Sequence, residues 1–134
     1  MPVNDLITVT LRLLDGDREG PITAQIEGSE SRAVSFARTD WYKAIGHEVL
    51  GDLLAQSGVY VLVGRSSDPV RQRVYIGQAD RLSSRLNSHL SSPAKSWWER
   101  ACVFTGGLNP TSIDWLEAEL IADARRAGRS VVRS

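Results

Sequence analysis

The sequence contains little cysteine and no long hydrophobic run. Its 134 residues include one cysteine, Cys102, which excludes an internal disulfide framework and a cysteine-based zinc site. No apolar run approaches the roughly 20 residues that a membrane-spanning helix needs, and the N-terminus lacks the pattern of a signal peptide. These absences predict a cytoplasmic protein with no membrane partner.

The net charge of the whole chain is zero, but the charges are unevenly distributed along it. Residues 1–57 hold five Lys or Arg against nine Asp or Glu, a net charge of −4, whereas residues 58–134 hold eleven against seven, a net charge of +4. Ten of those eleven basic residues are arginine, whose planar fork suits phosphate. The second part therefore either faces a polyanion or uses its arginines to solvate helix faces.

The first part of the chain alternates apolar and polar residues in short runs. Strands are predicted at 7–14, 22–26 and 33–36, separated by turns rich in Gly, Asp and Ser. Asp40 is then expected to cap a helix that runs to about residue 54.

The second part begins with a predicted antiparallel hairpin, formed by strands at 58–64 and 73–77. Asp80 is expected to cap the following helix, in which leucines recur every four residues. A second short helix is predicted to start at Ser92-Pro93 and to hold Trp97 and Trp98.

A third strand at 101–105 and a final helix follow, and Gly128 is expected to end that helix near residue 127. The whole pattern predicts an α+β fold, a small antiparallel sheet flanked by helices. Residues 1–56 would form an N-terminal β-hairpin extension packed on a core of residues 57–134.

Candidate chemistry is concentrated in the second part. Tyr60 and Tyr75 fall at matching points of the two hairpin strands, and the next helix carries Arg81, Arg85 and His89 at spacings of four. Residues four apart share one helix face. Tyrosines in strands are commonly half-buried packing residues, and an Arg and a His on one helix face commonly point into solvent. These residues indicate a function only if the helix face points at the tyrosines.

The ordered set of motifs resembles the GIY-YIG nuclease signature. It consists of Gly58-Val-Tyr60, Tyr75-Ile-Gly77, Arg85, His89, and Glu117 within the run LEAELI. The resemblance covers about residues 57–129, and the order and spacing of the motifs make it specific. With its strand-rich segment before the motifs, the chain is similar to bacterial GIY-YIG proteins, which often carry an additional C-terminal domain that this sequence lacks.

The resemblance implies a metal-dependent endonuclease that hydrolyses DNA phosphodiester bonds with a single divalent ion. Glu117 would hold Mg²⁺ or Mn²⁺, because a carboxylate is a hard oxygen ligand. Tyr60 or Tyr75 would orient or deprotonate the attacking water, and Arg85 would stabilise the charge on the phosphate. His89 would shuttle a proton or contact phosphate.

Helix spacing favours Glu117 over Glu119 as the ligand. The apolar residues Leu116, Leu120 and Ile121 place Glu117 beside the core-facing edge of the helix and Glu119 away from it. Nucleic acid is expected to contact a set of basic and polar residues near this site: Arg73, Gln78, Arg81, Arg85 and Lys95.

One departure from the family pattern leaves a second function open. GIY-YIG proteins commonly have an asparagine after the glutamate, and residues 118–134 contain none. The alternative is therefore a weakly active or inactive module of the same fold that binds nucleic acid or regulates. The sequence also leaves open RNA as a partner, and residues 1–56 as a surface for a homodimer or a partner protein.

Overall fold

A computed structural model describes residues 8–65 and 72–128, and the backbone of 130–133. Ile7, the first residue of the first predicted strand, and most of the segment between the strands predicted at 58–64 and 73–77 lie outside these residues. The bounds of the strands and helices are as follows: β1 (Val9–Leu13), β2 (Ile22–Ile26), β3 (Arg32–Ala37), α1 (Trp41–Gly46), α2 (Glu48–Leu54), β4 (Gly58–Arg65), β5 (Gln72–Ala79), α3 (Leu82–Ser91), β6 (Trp98–Thr105), α4 (Pro110–Arg126) and β7 (Ser130–Arg133).

The described strands form one seven-stranded sheet in the order β1-β2-β3-β6-β4-β5-β7. All neighbouring pairs are antiparallel except β5 and β7, which are parallel. The predicted hairpin of β4 and β5 is confirmed, with Tyr60 opposite Gly77 and Leu62 opposite Tyr75. The predicted α+β class is confirmed as well.

Side chains alternate between the two faces of the sheet; α1, α2 and α3 cover one face, and α4 covers the other. Tyr60 and Leu62 of β4 lie on the face that packs against Leu82 and Leu86 of α3. Val59 of β4 lies on the opposite face, in a second cluster that is completed by α4. Three of the residues of that cluster come from the sheet and two from the helix: Val59, Val74, Ile76, Ile113 and Ile121.

The face covered by α3 holds the larger core, and the first part of the chain contributes to it. Val34 and Phe36 of β3 are fully buried there, as are Leu50 and Leu54 of α2. The register of β3 with β6 extends from Arg32 opposite Thr105 to Ala37 opposite Arg100, which joins the two parts of the chain in one continuous sheet.

The predicted helix from Asp40 to about residue 54 is interrupted. The chain forms a 3₁₀ turn at Arg38–Asp40 and then α1 and α2, with a break at His47. Asp40 makes no capping hydrogen bond through its side chain. Instead, His47 has an extended backbone and its Nδ1 accepts hydrogen bonds from the N–H groups of Val49 and Leu50, which caps α2.

Two other local predictions are wrong. The residue that precedes α3 in the N-cap position is Arg81 and not Asp80, and its side chain forms no capping hydrogen bond. The helix that was expected to hold Trp97 and Trp98 is limited to a 3₁₀ turn at Pro93–Lys95. Trp98 already belongs to β6 and is 1% exposed, because the strand extends three residues earlier than the apolar run suggested.

Helix α4 ends as predicted, with Gly128 at a positive φ of 76° directly after its last turn. Its start is capped by Asn109, whose side chain accepts a hydrogen bond from the N–H of Ser112, and Pro110 occupies its first turn. Among the described residues, no helix has the length and apolar character that crossing a membrane would require.

Candidate active site

The two signature tyrosines lie side by side on the face covered by α3. Their ring centroids are 6.0 Å apart and the rings are nearly parallel, at an interplanar angle of 21°. Tyr60 is 0% exposed and Tyr75 is 6% exposed, so both are also core residues. The hairpin register produces this arrangement, because Tyr75 pairs with Leu62, which is two residues from Tyr60 on the same face.

Helix α3 supplies the next two residues of the motif. Its buried residues Leu82 and Leu86 form the apolar stripe that packs on the sheet, and His89 continues that stripe one turn later. Arg85 lies one turn before His89 and is exposed. The helix therefore directs His89 into the core and leaves Arg85 at its rim.

His89 completes a cluster of three rings. Its Nε2 lies 2.9 Å from the Tyr60 hydroxyl oxygen, and the two groups form a buried hydrogen bond. The His89 ring centroid is 5.3 Å from that of Tyr60 and 4.9 Å from that of Tyr75. The face of α3 that the sequence singled out thus points at the two tyrosines.

Burial controls the protonation of this ring cluster. Desolvation, together with the positive charges of Lys95 and Arg85, lowers the pKa of His89 to about 4, so the ring is neutral at pH 7. Burial also raises the pKa of Tyr60, and the negative charge that Tyr75 can carry raises it further, against the opposing effect of Arg85. Both partners of the hydrogen bond are therefore neutral near physiological pH.

Two cations from outside α3 lie over aromatic rings at this site. The Lys95 Nζ is 4.8 Å from the centroid of the Tyr75 ring. The Arg73 guanidinium carbon is 4.6 Å from the centroid of the Trp97 ring. These cation–π contacts fix the positions of two positive charges beside the tyrosines.

The spacing of four residues predicts that Arg81 shares a helix face with Arg85 and His89, and the structure differs from this prediction. Because α3 begins at Leu82, Arg81 has extended backbone angles and does not share the helix face of Arg85. Its Nε donates to the Ser83 hydroxyl at 3.2 Å, and its side chain lines a cleft together with Trp41 and Ile45 of α1.

Glu117 lies on α4, which packs on the other face of the sheet. It is half-buried while Glu119 is exposed, as the helical pattern predicted. The Gln78 Nε2 donates to the Glu117 Oε1 at 3.2 Å and to the Asp114 Oδ1 at 2.9 Å. Gln78, for which a contact with nucleic acid is predicted, thus forms hydrogen bonds with two carboxylates of α4 in the structure.

Strand β5 carries one residue of each group, Tyr75 and Gln78. Tyr75 and Gln78 lie on opposite faces of this strand and only three residues apart. Pairing of β5 with β7 covers Arg73 to Ile76, which places Gln78 beyond that pairing. The negative charge of Glu117 also raises the pKa of Tyr60, less than burial and the effect of Tyr75 do.

Asp114 is a further candidate residue that the motifs in the sequence do not include. It lies one turn before Glu117 on α4, so helical spacing alone could have drawn attention to the pair. Across residues 8–65 and 72–128, no three or more His, Cys, Asp or Glu residues are grouped so that they could hold a metal ion. Any ion at Glu117 would thus complete its coordination with water and substrate oxygens.

Comparisons with known proteins add no further assignment. Scans of this chain against models of protein families, curated proteins and solved structures find no match.

Proposed function

We propose that this protein is a metal-dependent endonuclease of the GIY-YIG type that hydrolyses phosphodiester bonds in DNA. The observation that carries the proposal is the convergence of Tyr60, Tyr75 and His89, whose ring centroids lie 4.9 to 6.0 Å apart. Tyr60 and His89 are 29 positions apart along the chain, so the convergence of the three rings is a property of the fold.

The positive charges around the ring cluster support a phosphate-binding role. Arg85 is exposed at its rim, and Lys95 and Arg73 are held over aromatic rings close by. Guanidinium and ammonium groups bind phosphate oxygens and stabilise the charge that develops on them in the transition state. Arg85 would contact the scissile phosphate, and Lys95 and Arg73 would hold the flanking backbone.

The protonation states and the exposure of the three rings suggest a different role for each ring. His89 is neutral at pH 7, because its pKa is about 4, and its Nε2 forms a hydrogen bond with the Tyr60 hydroxyl. The raised pKa of Tyr60 disfavours its phenolate, so Tyr60 serves as a hydrogen-bonding partner of His89. Tyr75 is the more exposed of the two tyrosines and is the better placed to orient the attacking water.

The carboxylate of Glu117 fits a hard divalent cation such as Mg²⁺ or Mn²⁺. The amide nitrogen of Gln78 lies within 3.2 Å of a carboxylate oxygen of both Glu117 and Asp114. The two carboxylates that bind the N–H groups of Gln78 would also favour a cation at this position. An ion there would supply charge neutralisation for the phosphate and for the leaving oxygen. Glu117 would be its ligand, with Asp114 beside it.

The domain organisation and the partners form part of the same proposal. Residues 57–134 would make up the nuclease core, and residues 1–56 would extend its sheet as a β-rich segment that offers a surface to a second copy or to a partner protein. Because residues 1–57 carry a net charge of −4, DNA would bind on the other part, weakly and with strong salt dependence.

The first experiment compares cleavage of labelled single- and double-stranded DNA by the wild type and by Glu117→Gln, with Mg²⁺ or Mn²⁺. We expect metal-dependent cleavage that falls about a hundredfold or more in the variant, since the ligand loses its charge. Glu119→Gln is the matched control, because Glu119 is exposed on the same helix. Equal loss in both variants would contradict the role of Glu117.

The complete burial of Tyr60 favours a second candidate, a module of the same fold that binds nucleic acid without cutting it. A tyrosine that is 0% exposed cannot meet a substrate without movement of its surroundings. Salt-sensitive binding of DNA by the wild type, with no cleavage in either metal, would support this module and exclude the nuclease.

A further inference from the structure

The segment between α3 and β6 carries Lys95 to the ring cluster. Its 3₁₀ turn, Pro93–Lys95, connects the helix that holds His89 to the buried Trp98. The Lys95 Nζ lies 4.8 Å from the centroid of the Tyr75 ring, and the charge of Lys95 is the largest electrostatic contribution to the lowered pKa of His89 after burial. The position of this short segment therefore matters for two residues of the site.

An arginine from the first part of the chain holds this segment by its backbone. Both terminal nitrogens of Arg38 donate to carbonyl oxygens: Nη2 to Leu90 at 3.0 Å, and Nη1 to Lys95 at 3.0 Å and Trp98 at 3.5 Å. The guanidinium carbon also lies 4.7 Å from the centroid of the Trp98 ring. One half-buried side chain thus binds the end of α3, the 3₁₀ turn and the start of β6.

The register of β3 with β6 positions Arg38 beside the segment between α3 and β6. Ala37, the last residue of β3, pairs with Arg100 of β6, so Arg38 emerges beside Trp98. Leu90 is the penultimate residue of α3, and its carbonyl is one of those that a helix leaves without a partner of its own. A cation at that helix end is also favoured by the helix dipole. Hydrogen bonds from a charged donor are stronger than those between neutral groups.

We propose that Arg38 is a positioning residue, which fixes the segment between α3 and β6 so that Lys95 stays over Tyr75. Through it, the N-terminal part of the chain supports the candidate active site. The placement of Lys95 is independent of any activity, whereas the consequence for cleavage rests on the proposed function.

The pKa of His89 reports the position of Lys95, because the positive charge of Lys95 lowers this pKa. Tyr60 reaches the ring from β4, Tyr75 from β5, Arg85 from its own helix and Lys95 from the 3₁₀ turn. If Arg38 no longer holds the turn, Lys95 can move away from the cluster. The pKa of His89 should then rise from about 4 toward its ordinary value.

The test is an NMR titration of His89 in the full chain, without DNA or metal. We expect Arg38→Met and Lys95→Met each to raise the pKa of His89, and the double variant to show no further rise. Arg32→Met is the matched control, since Arg32 also donates to backbone carbonyls, of Ser29 and Glu30, but within its own turn. An unchanged His89 pKa in Arg38→Met, or fully additive shifts, would overturn the proposal.

Arg38→Lys keeps the experiment decisive if Arg38→Met does not fold. It retains the charge but loses the fork that bonds three carbonyls, so the pKa of His89 should still rise. If the nuclease proposal holds, cleavage by Arg38→Lys should also fall about tenfold, as expected when a site residue is displaced. A shifted His89 pKa in a protein that cuts no DNA would support the positioning role and reject only the nuclease.

Discussion

The candidate functional residues on the two faces of the sheet differ in how deeply they are buried. Under α3, Tyr60, Tyr75 and His89 are each no more than 6% exposed and belong to the packed interior. Beside α4, Gln78 and Glu117 are half-buried and Asp114 is exposed. Changes under α3 should therefore alter both stability and chemistry, whereas changes beside α4 should alter chemistry with little effect on stability.

Deleting a ring under α3 gives the largest expected effect. Tyr60→Ala removes a fully buried aromatic side chain, so we expect the free energy of unfolding to fall by about 3 to 5 kcal/mol. Denaturant unfolding measures the loss. On the α4 side, Glu117→Ala should cost less than about 1 kcal/mol, because a half-buried carboxylate contributes little to the core. Equal losses of unfolding free energy in the two variants would contradict the expected difference between the two faces of the sheet.

Lowering the pH gives a smaller effect that also arises under α3. Because burial lowers the pKa of folded His89 to about 4, the unfolded chain binds a proton at higher pH than the folded one does. The stability contributed by the neutral ring is complete above about pH 6.5 and is lost as the pH falls toward 4. We expect a loss of about 1 to 3 kcal/mol from this residue.

Carboxylates titrate in part of the same range, so this pH effect needs a variant for comparison. Unfolding free energies of the wild type and of His89→Gln should be measured at several pH values between 4 and 7. The pH dependence of the wild type should be the steeper one. Parallel curves would mean that His89 carries its charge as easily in the folded protein as in the unfolded chain.

Removing one hydroxyl gives the smallest effect. Tyr60→Phe deletes the hydrogen bond to His89 Nε2 and leaves that buried nitrogen without this partner, at about 0.5 to 1.5 kcal/mol of unfolding free energy. Asp114→Asn is the counterpart beside α4, and it keeps an oxygen that can accept from Gln78. Its effect should stay below about 0.5 kcal/mol, and a larger loss than in Tyr60→Phe would reverse the expected order.

Local patterns predicted much of the second part of the chain. The apolar run of β4, the leucine spacing of α3 and the glycine after α4 each describe a short stretch, and each matches the structure. Capping was predicted less well. His47 rather than Asp40 caps a helix by its side chain, because the chain breaks where α1 ends at Gly46 and the histidine then meets the free N–H groups of α2.

Longer-range arrangements could not be read from the same patterns. Strand β7 is four residues long and exists through its parallel pairing with β5, so its sequence alone carries little signal. The hydrogen bonds of Arg38 span 52 to 60 residues along the chain and depend on the register of β3 with β6. Arg81 left the predicted helix face because α3 starts one residue after it.

By itself, the sequence determined the α+β class, the hairpin of β4 and β5 and the helix face that carries His89, since hydrophobic periodicity acts within a few residues. Only the tertiary structure decided that Glu117 lies across the sheet from the tyrosines, that Gln78 bonds to Asp114 and Glu117, and that Arg38 supports the segment of Lys95. Strand order and register set these distances, and both depend on contacts between residues far apart in the chain.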